Sequence, residues 1–164
     1  MNTILTLISI MVTIVYLAYT IKKFGVPHSI SETYYLLKHE NKKKAVLFPL
    51  WAYLTAFPLM IAWLNMTEGK DYQFLSFFAP AGLMFVGAAA QFKEKLTDKV
   101  HYGGAAVCLI AAVILVVIWG YLGLSLICFF AASLIIYKYG KPIFWVEIAG
   151  LLAAFVASLL KVMI

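Results

Sequence analysis

The sequence predicts an all-α integral membrane protein, a bundle of about six transmembrane helices with an amphipathic interfacial helix in the first inner loop. Three observations predict it. Of 164 residues, 65% are apolar and only 12% are charged, where a soluble domain runs nearer half and a quarter. One small core cannot hide that much apolar surface, so lipid must cover it. Six stretches reach the roughly 20 mostly apolar residues that a crossing requires. Runs such as Ala105 to Trp119 show no alternation, whereas barrel strands alternate polar and apolar positions. Helices are then the remaining way to satisfy every backbone polar group in hydrocarbon.

The chain reads as one polytopic domain, 1–164, with spans near 2–21, 45–65, 72–91, 101–119, 121–138 and 142–163. The first run lacks a basic flank before it and a small-residue cleavage pattern after it, and Lys22 and Lys23 follow it. It is expected to be a retained helix and not a cleaved signal. Pro49, Pro58 and Pro80 fall inside the second and third spans, where proline removes a backbone hydrogen bond and kinks a helix. The fourth and fifth spans are divided by Trp119-Gly120-Tyr121-Leu122-Gly123, a tight turn flanked by aromatics. Ala81-Gly82-Leu83 recurs as Ala149-Gly150-Leu151, but nothing else aligns, and small-residue triplets recur by chance in packed membrane helices.

Lysine placement orients the bundle. Loops 22–44, 92–100 and 138–141, with the residues beside them, hold eleven of the thirteen lysines; Lys70 and Lys161 stand on the other side. Those three loops should be cytoplasmic and both termini non-cytoplasmic, in a plasma or bacterial inner membrane. Trp63, Tyr72, Trp119 and Tyr121 would form the outer aromatic belt, and Tyr102, Tyr137, Tyr139 and Trp145 the inner one.

The inner-face loop 22–44 is the one sizeable segment outside lipid. Ser29 can cap a helix there while Glu32 returns a bond to the Ser29 N–H. Ile30, Tyr34 and Leu37 make an apolar stripe that would rest in the inner leaflet, and the helix could continue into the second span. Its lysines would meet anionic headgroups. His28, Ser29, Ser31 and Tyr34 are candidates for the mouth of a site.

Charge and motifs exclude several classes. The net charge of +6 comes from lysine alone, with no arginine, and the lysines form no single face, so nucleic acid is not an expected partner. Cys108 and Cys128 lie inside apolar runs and read as packing residues. No P-loop, Rossmann glycine pattern or His-Glu-x-x-His is present, and His28, His39 and His101 all fall near the inner face. No metal and no cofactor is expected.

An ionisable residue inside a span is a functional candidate by default. Glu147 lies five residues past Pro142, on a face with Gly150, Ala154 and Ser158. His101 begins the fourth span on a face with Gly104, Ala105, Cys108 and Ala112, with Asp98 three residues earlier. Small residues on both faces allow close approach, so Glu147 and His101 are expected within one water of each other. The bland alternatives are local pairing of Glu147 with Lys141 or Tyr137, and His101 as an ordinary helix-start residue capped by Asp98.

Three functions fit. One is a small permease or channel-like protein, a homo-oligomer, with a polar site near the cytoplasmic interface. Another is an accessory or scaffold subunit bound to a partner membrane protein. The third is an interfacial enzyme acting on a lipid. The absence of an activated nucleophile leans against the enzyme.

Overall fold

The computed structural model describes residues 1–90 and 96–163, the side chains of 96–98 excepted. Among the described residues the fold is all-helical: α1 (Asn2–Phe24), α2 (Glu32–Glu40), a 3₁₀ turn (Lys44–Val46), α3 (Leu47–Met66), α4 (Gln73–Ala89), α5 (Leu96–Ile118), α6 (Leu122–Tyr139) and α7 (Pro142–Met163). Five of these segments are long and apolar enough to cross a membrane. The helix α4 is apolar but has 17 residues, about 26 Å at 1.5 Å per residue. The division after Trp119 holds: Gly120 takes φ +90°, a conformation that glycine adopts without steric cost.

Packing places α4 at the centre, against α3 on one side and α5 on the other. The α4–α5 contact is close because two glycines face each other. A Cβ added at Gly82 would stand 2.5 Å from the Gly104 carbonyl oxygen and 2.6 Å from the Cys108 nitrogen. On the other side of the bundle α1 packs on α3, while α7 reaches α5, α1 and α3 and carries α6 on its remaining face. Two apolar cores result. One gathers Leu59, Trp63, Leu75, Leu115, Trp119 and Phe155. The other, at the lysine-rich end, gathers Tyr16, Ile30, Leu37, Phe48, Trp51 and Phe144.

Polarity in α1 runs opposite to that of a soluble helix. Its buried residues are Thr6, Ser9, Thr13, Tyr16 and Thr20, spaced alternately three and four apart on one stripe. Its exposed face carries Ile4, Met11, Ile14 and Val15, each more than half exposed. All of the buried α1 hydroxyls but that of Thr6 find partners inside: Thr13 and Thr55 Oγ1 atoms lie 3.1 Å apart, Tyr16 bonds Thr33, and Thr20 returns to the Tyr16 carbonyl at 3.0 Å. Tyr16 also stacks on Trp51, with ring centroids 5.0 Å apart.

Several expectations change. Pro49 occupies the first turn of α3, where a backbone N–H would have no intrahelical acceptor, so the lack of one does not interrupt the helix; Pro58 and Pro80 are interior. Trp63 and Trp119 are core residues and not belt anchors. Both are buried, they meet edge to face at 5.6 Å, and Trp63 Nε1 donates to Ser158 Oγ at 2.7 Å. The helix α2 does not continue into α3. Asn41 is extended at φ −157°, and its Oδ1 accepts the Lys43 N–H at 2.9 Å, the local side-chain bond by which Asn makes turns. Nor does the apolar stripe of the inner loop face outward. Ile30, Tyr34 and Leu37 are buried at 3%, 9% and 0% exposure, so α2 docks on the bundle itself.

Candidate functional site

The segment before α2 is laced to the start of α7. Pro142 opens α7, and its missing N–H costs nothing at a first helical position. Two positions later, the Phe144 N–H donates to the His28 carbonyl at 2.9 Å, satisfying a donor that a helix start leaves orphaned. Lys141 Nζ donates to the Val26 carbonyl. One turn into α7, Glu147 Oε2 accepts the Ile30 N–H at 2.6 Å. A side chain at 147 can reach Ile30 because small residues keep this face of α7 close to its neighbours. Val26–Ile30 thus forms a strap across the end of α7, tied at three points.

The turn that ends the strap resembles the predicted capping box, displaced by one residue. The Glu32 N–H donates to Ser29 Oγ at 3.1 Å, but Glu32 Oε2 accepts from the His28 N–H at 2.5 Å and not from Ser29. The Ile30–Ser31 turn draws the chain in, bringing the His28 N–H within reach of the carboxylate. Ser29 and Ser31 Oγ atoms then lie 3.0 Å apart.

Two spaces meet at this strap. The first, about 280 Å³, is a polar mouth lined by His28, Ser29, Ser31, Glu32, Tyr35, His101 and Tyr102, with Phe48 and Ala90. The second, about 410 Å³, is an apolar cleft among α3, α4, α5 and α7. Its walls include Trp51, Trp63, Pro80, Leu83, Cys108, Leu109, Leu151 and Phe155, and Glu147 is its charged residue. Ser31 and Phe48 line both spaces.

Four of the sequence candidates therefore share the mouth: His28, Ser29, Ser31 and His101. Glu147 borders the adjoining cleft, with the Ile30 N–H as its hydrogen-bond partner. Tyr34 is not at the mouth. It is buried against Phe48, ring centroids 6.2 Å apart, while the neighbouring Tyr35 is exposed and lines the space. A helix turns by about 100° per residue, so the stripe that buries Tyr34 turns Tyr35 outward. The side chain of Asp98 lies outside the described residues. Outside the apolar helices, Glu40 is held by Lys23 and Lys44. Their hydrogen bonds, Lys23 first, keep its carboxyl below the usual carboxylate range.

Sequence reasoning missed the hydroxyl stripe of α1 that supports this end of the molecule, although its three-and-four spacing stands in the sequence. It also missed the partner of Glu147, for which no sequence signal exists, because that partner is a backbone N–H. Among the described residues no cluster of histidine, cysteine or carboxylate side chains is arranged to hold a metal. What the site offers is hydrogen-bonding groups at a mouth, one carboxylate behind them, and an apolar cleft beyond. The chain matches no protein-family model, no curated protein and no solved structure.

Proposed function

We propose that this chain is a six-span membrane protein of the permease type that takes up an amphiphilic small molecule, holding the head in the mouth and the tail in the cleft. The helix α1 supports the membrane setting, because burying hydroxyls while exposing Ile4, Met11 and Val15 is stable only where the surroundings are apolar. The helix α4 makes the sixth crossing, shielded between α3 and α5, and a short span is accommodated at modest cost by local thinning of the bilayer. The lysine-rich loops lie on the cytoplasmic side by the positive-inside rule.

One observation carries the functional reading. A polar mouth and an apolar cleft share a boundary at Ser31 and Phe48, so one molecule with a polar end and an apolar end can occupy both. Pockets that bind small molecules have this character, mostly apolar with a few converging polar groups. The test is photolabelling in nanodiscs with an amphiphile carrying a diazirine on its alkyl chain. Crosslinks should concentrate on cleft residues such as Leu83, Leu109 and Leu151, and Ala112→Phe, which fills the cleft wall, should abolish them. Labelling spread over lipid-facing residues such as Ile4 and Phe130, unchanged by Ala112→Phe, would leave a scaffold role as the better account.

A further inference from the structure

The charges around the two spaces bear on the class of head group. In a bilayer the tail gains little by leaving lipid for the cleft, since acyl chains are as apolar as Leu and Phe. Selection must then come from the head, and from the charges it meets. Among the described residues, no lysine lines the mouth or the cleft. Lys141, just before α7, donates to the Val26 carbonyl of the strap. The acidic groups among the described residues that line these spaces are Glu32, at the mouth, and Glu147, inside the cleft. Glu147 accepts one hydrogen bond, from the Ile30 N–H, and no lysine pairs with it among the described residues. Aromatic rings complete the surroundings: Phe48 at the shared boundary, then Trp51 and Trp63 in the cleft wall.

A carboxylate in an apolar space bordered by aromatic rings repels an anionic head and attracts a cationic one. The attraction is strong where water is scarce, and the ring quadrupoles add to it. We propose that the ligand is a cationic amphiphile, an amine or quaternary ammonium on an apolar tail, whose charge is met by Glu147. This rests on the amphiphile reading above. The imidazoles and hydroxyls of His28, Ser29 and His101 at the mouth serve the approach of the head and its water shell.

The experiment is isothermal titration of the protein in nanodiscs, corrected against empty nanodiscs, with three octyl compounds that differ only in the head: octyltrimethylammonium, octyl glucoside and octyl sulfate. The expected order has the cation tightest, at least tenfold over the glucoside, with the sulfate undetectable. Equal binding of all three, or tighter binding of the sulfate, would overturn the cationic head while leaving the amphiphile reading in place. Binding of none would sink both. Glu147→Gln keeps an acceptor for the Ile30 N–H, and it should remove the cation's tenfold advantage without weakening the glucoside. If that variant retains the full preference for the cation, Glu147 is not the group that meets it. The head-group series on the unchanged protein decides for or against a cationic head even if the variant fails to fold.

Discussion

Replacing Gly82 by alanine drives a methyl group into the backbone of α5. The new Cβ would stand 2.5 Å from the Gly104 carbonyl oxygen, 2.6 Å from the Cys108 nitrogen and 2.9 Å from the Cys108 Cα. All three are backbone atoms, so no side chain can swing aside, and α4 and α5 must part by roughly 1 Å to restore contact at van der Waals distance. Overpacking of this kind costs about 1–3 kcal/mol. With three backbone atoms under 3.0 Å the cost lies in the upper half of that range, and the better helix propensity of alanine returns up to about 1 kcal/mol, which leaves a net loss of about 1–2 kcal/mol. At about 2–4 °C per kcal/mol for a chain of this length, the melting temperature should fall by about 2–8 °C. Gly103 is the internal control. It lies on α5, one of the two helices in this contact, and a Cβ there meets nothing within 4 Å, so Gly103→Ala should be neutral or raise the melting temperature. The assay is thermal unfolding in detergent, read by a thiol-reactive dye that reports exposure of Cys108 and Cys128 and in parallel by helix circular dichroism. Unchanged melting of Gly82→Ala, or equal losses at both glycines, would refute the close approach of α4 and α5.

Other expectations follow from the same contacts. Glu147→Ala removes the acceptor of the Ile30 N–H, a bond to a charged group worth about 1.5–3 kcal/mol, so trypsin should cut at Lys38 and Lys42–Lys44 at least about tenfold faster than in wild type; Glu147→Gln should stay near wild type, and equal rates for all three proteins would deny the strap. The Glu40 carboxyl titrates below its ordinary value, so its pairing with Lys23 and Lys44 contributes stability above roughly pH 4.3, the ordinary glutamate value. That contribution fades as pH falls through the lower native value. Melting temperatures of wild type and Glu40→Gln should therefore differ at pH 7, with the gap narrowing as pH falls below about 4.3, and a gap that does not narrow with acidification would count against the ion pairs. Orientation is read with an impermeant maleimide on intact cells: Glu68→Cys should label directly and His39→Cys only after permeabilisation, the reverse pattern inverting the proposed topology.

How much of this was legible in the sequence differs by element. The helical stretches were, since apolar runs bounded by lysine, glycine and aromatic turns mark helix ends to within a few residues: α7 begins at Pro142 as expected, and α6 ends at Tyr139 before a glycine with positive φ. The fate of the inner loop was only half legible. The apolar stripe Ile30–Tyr34–Leu37 predicts that something covers it, but a stripe does not say whether lipid or protein does. Here Phe48, Trp51 and Phe144 provide the cover. The same ambiguity misplaced Trp63 and Trp119, because tryptophan near the end of a span suits both a belt and a core. Of the mouth's lining, His28, Ser29, Ser31 and His101 were candidates because polar side chains stand out against apolar sequence, whereas Glu32, Tyr35 and Tyr102 were not among them. The cleft was not legible, because its wall is built of Leu, Pro, Cys and Phe that look like ordinary span residues until helices are packed.

The strap also sets an order on the birth of the molecule. Ile30 and the Glu147 it bonds are separated by 117 positions, which at roughly 5–20 residues per second is about 6–23 s of synthesis. Throughout that interval Val26–Ile30 has no α7 to lie across, and the cleft lacks the wall that carries its carboxylate. The charged residue of the cleft is therefore installed only after α1 to α6 have been made. A chain interrupted before the seventh helix would present the aromatic walls of the cleft without the group proposed to select its ligand.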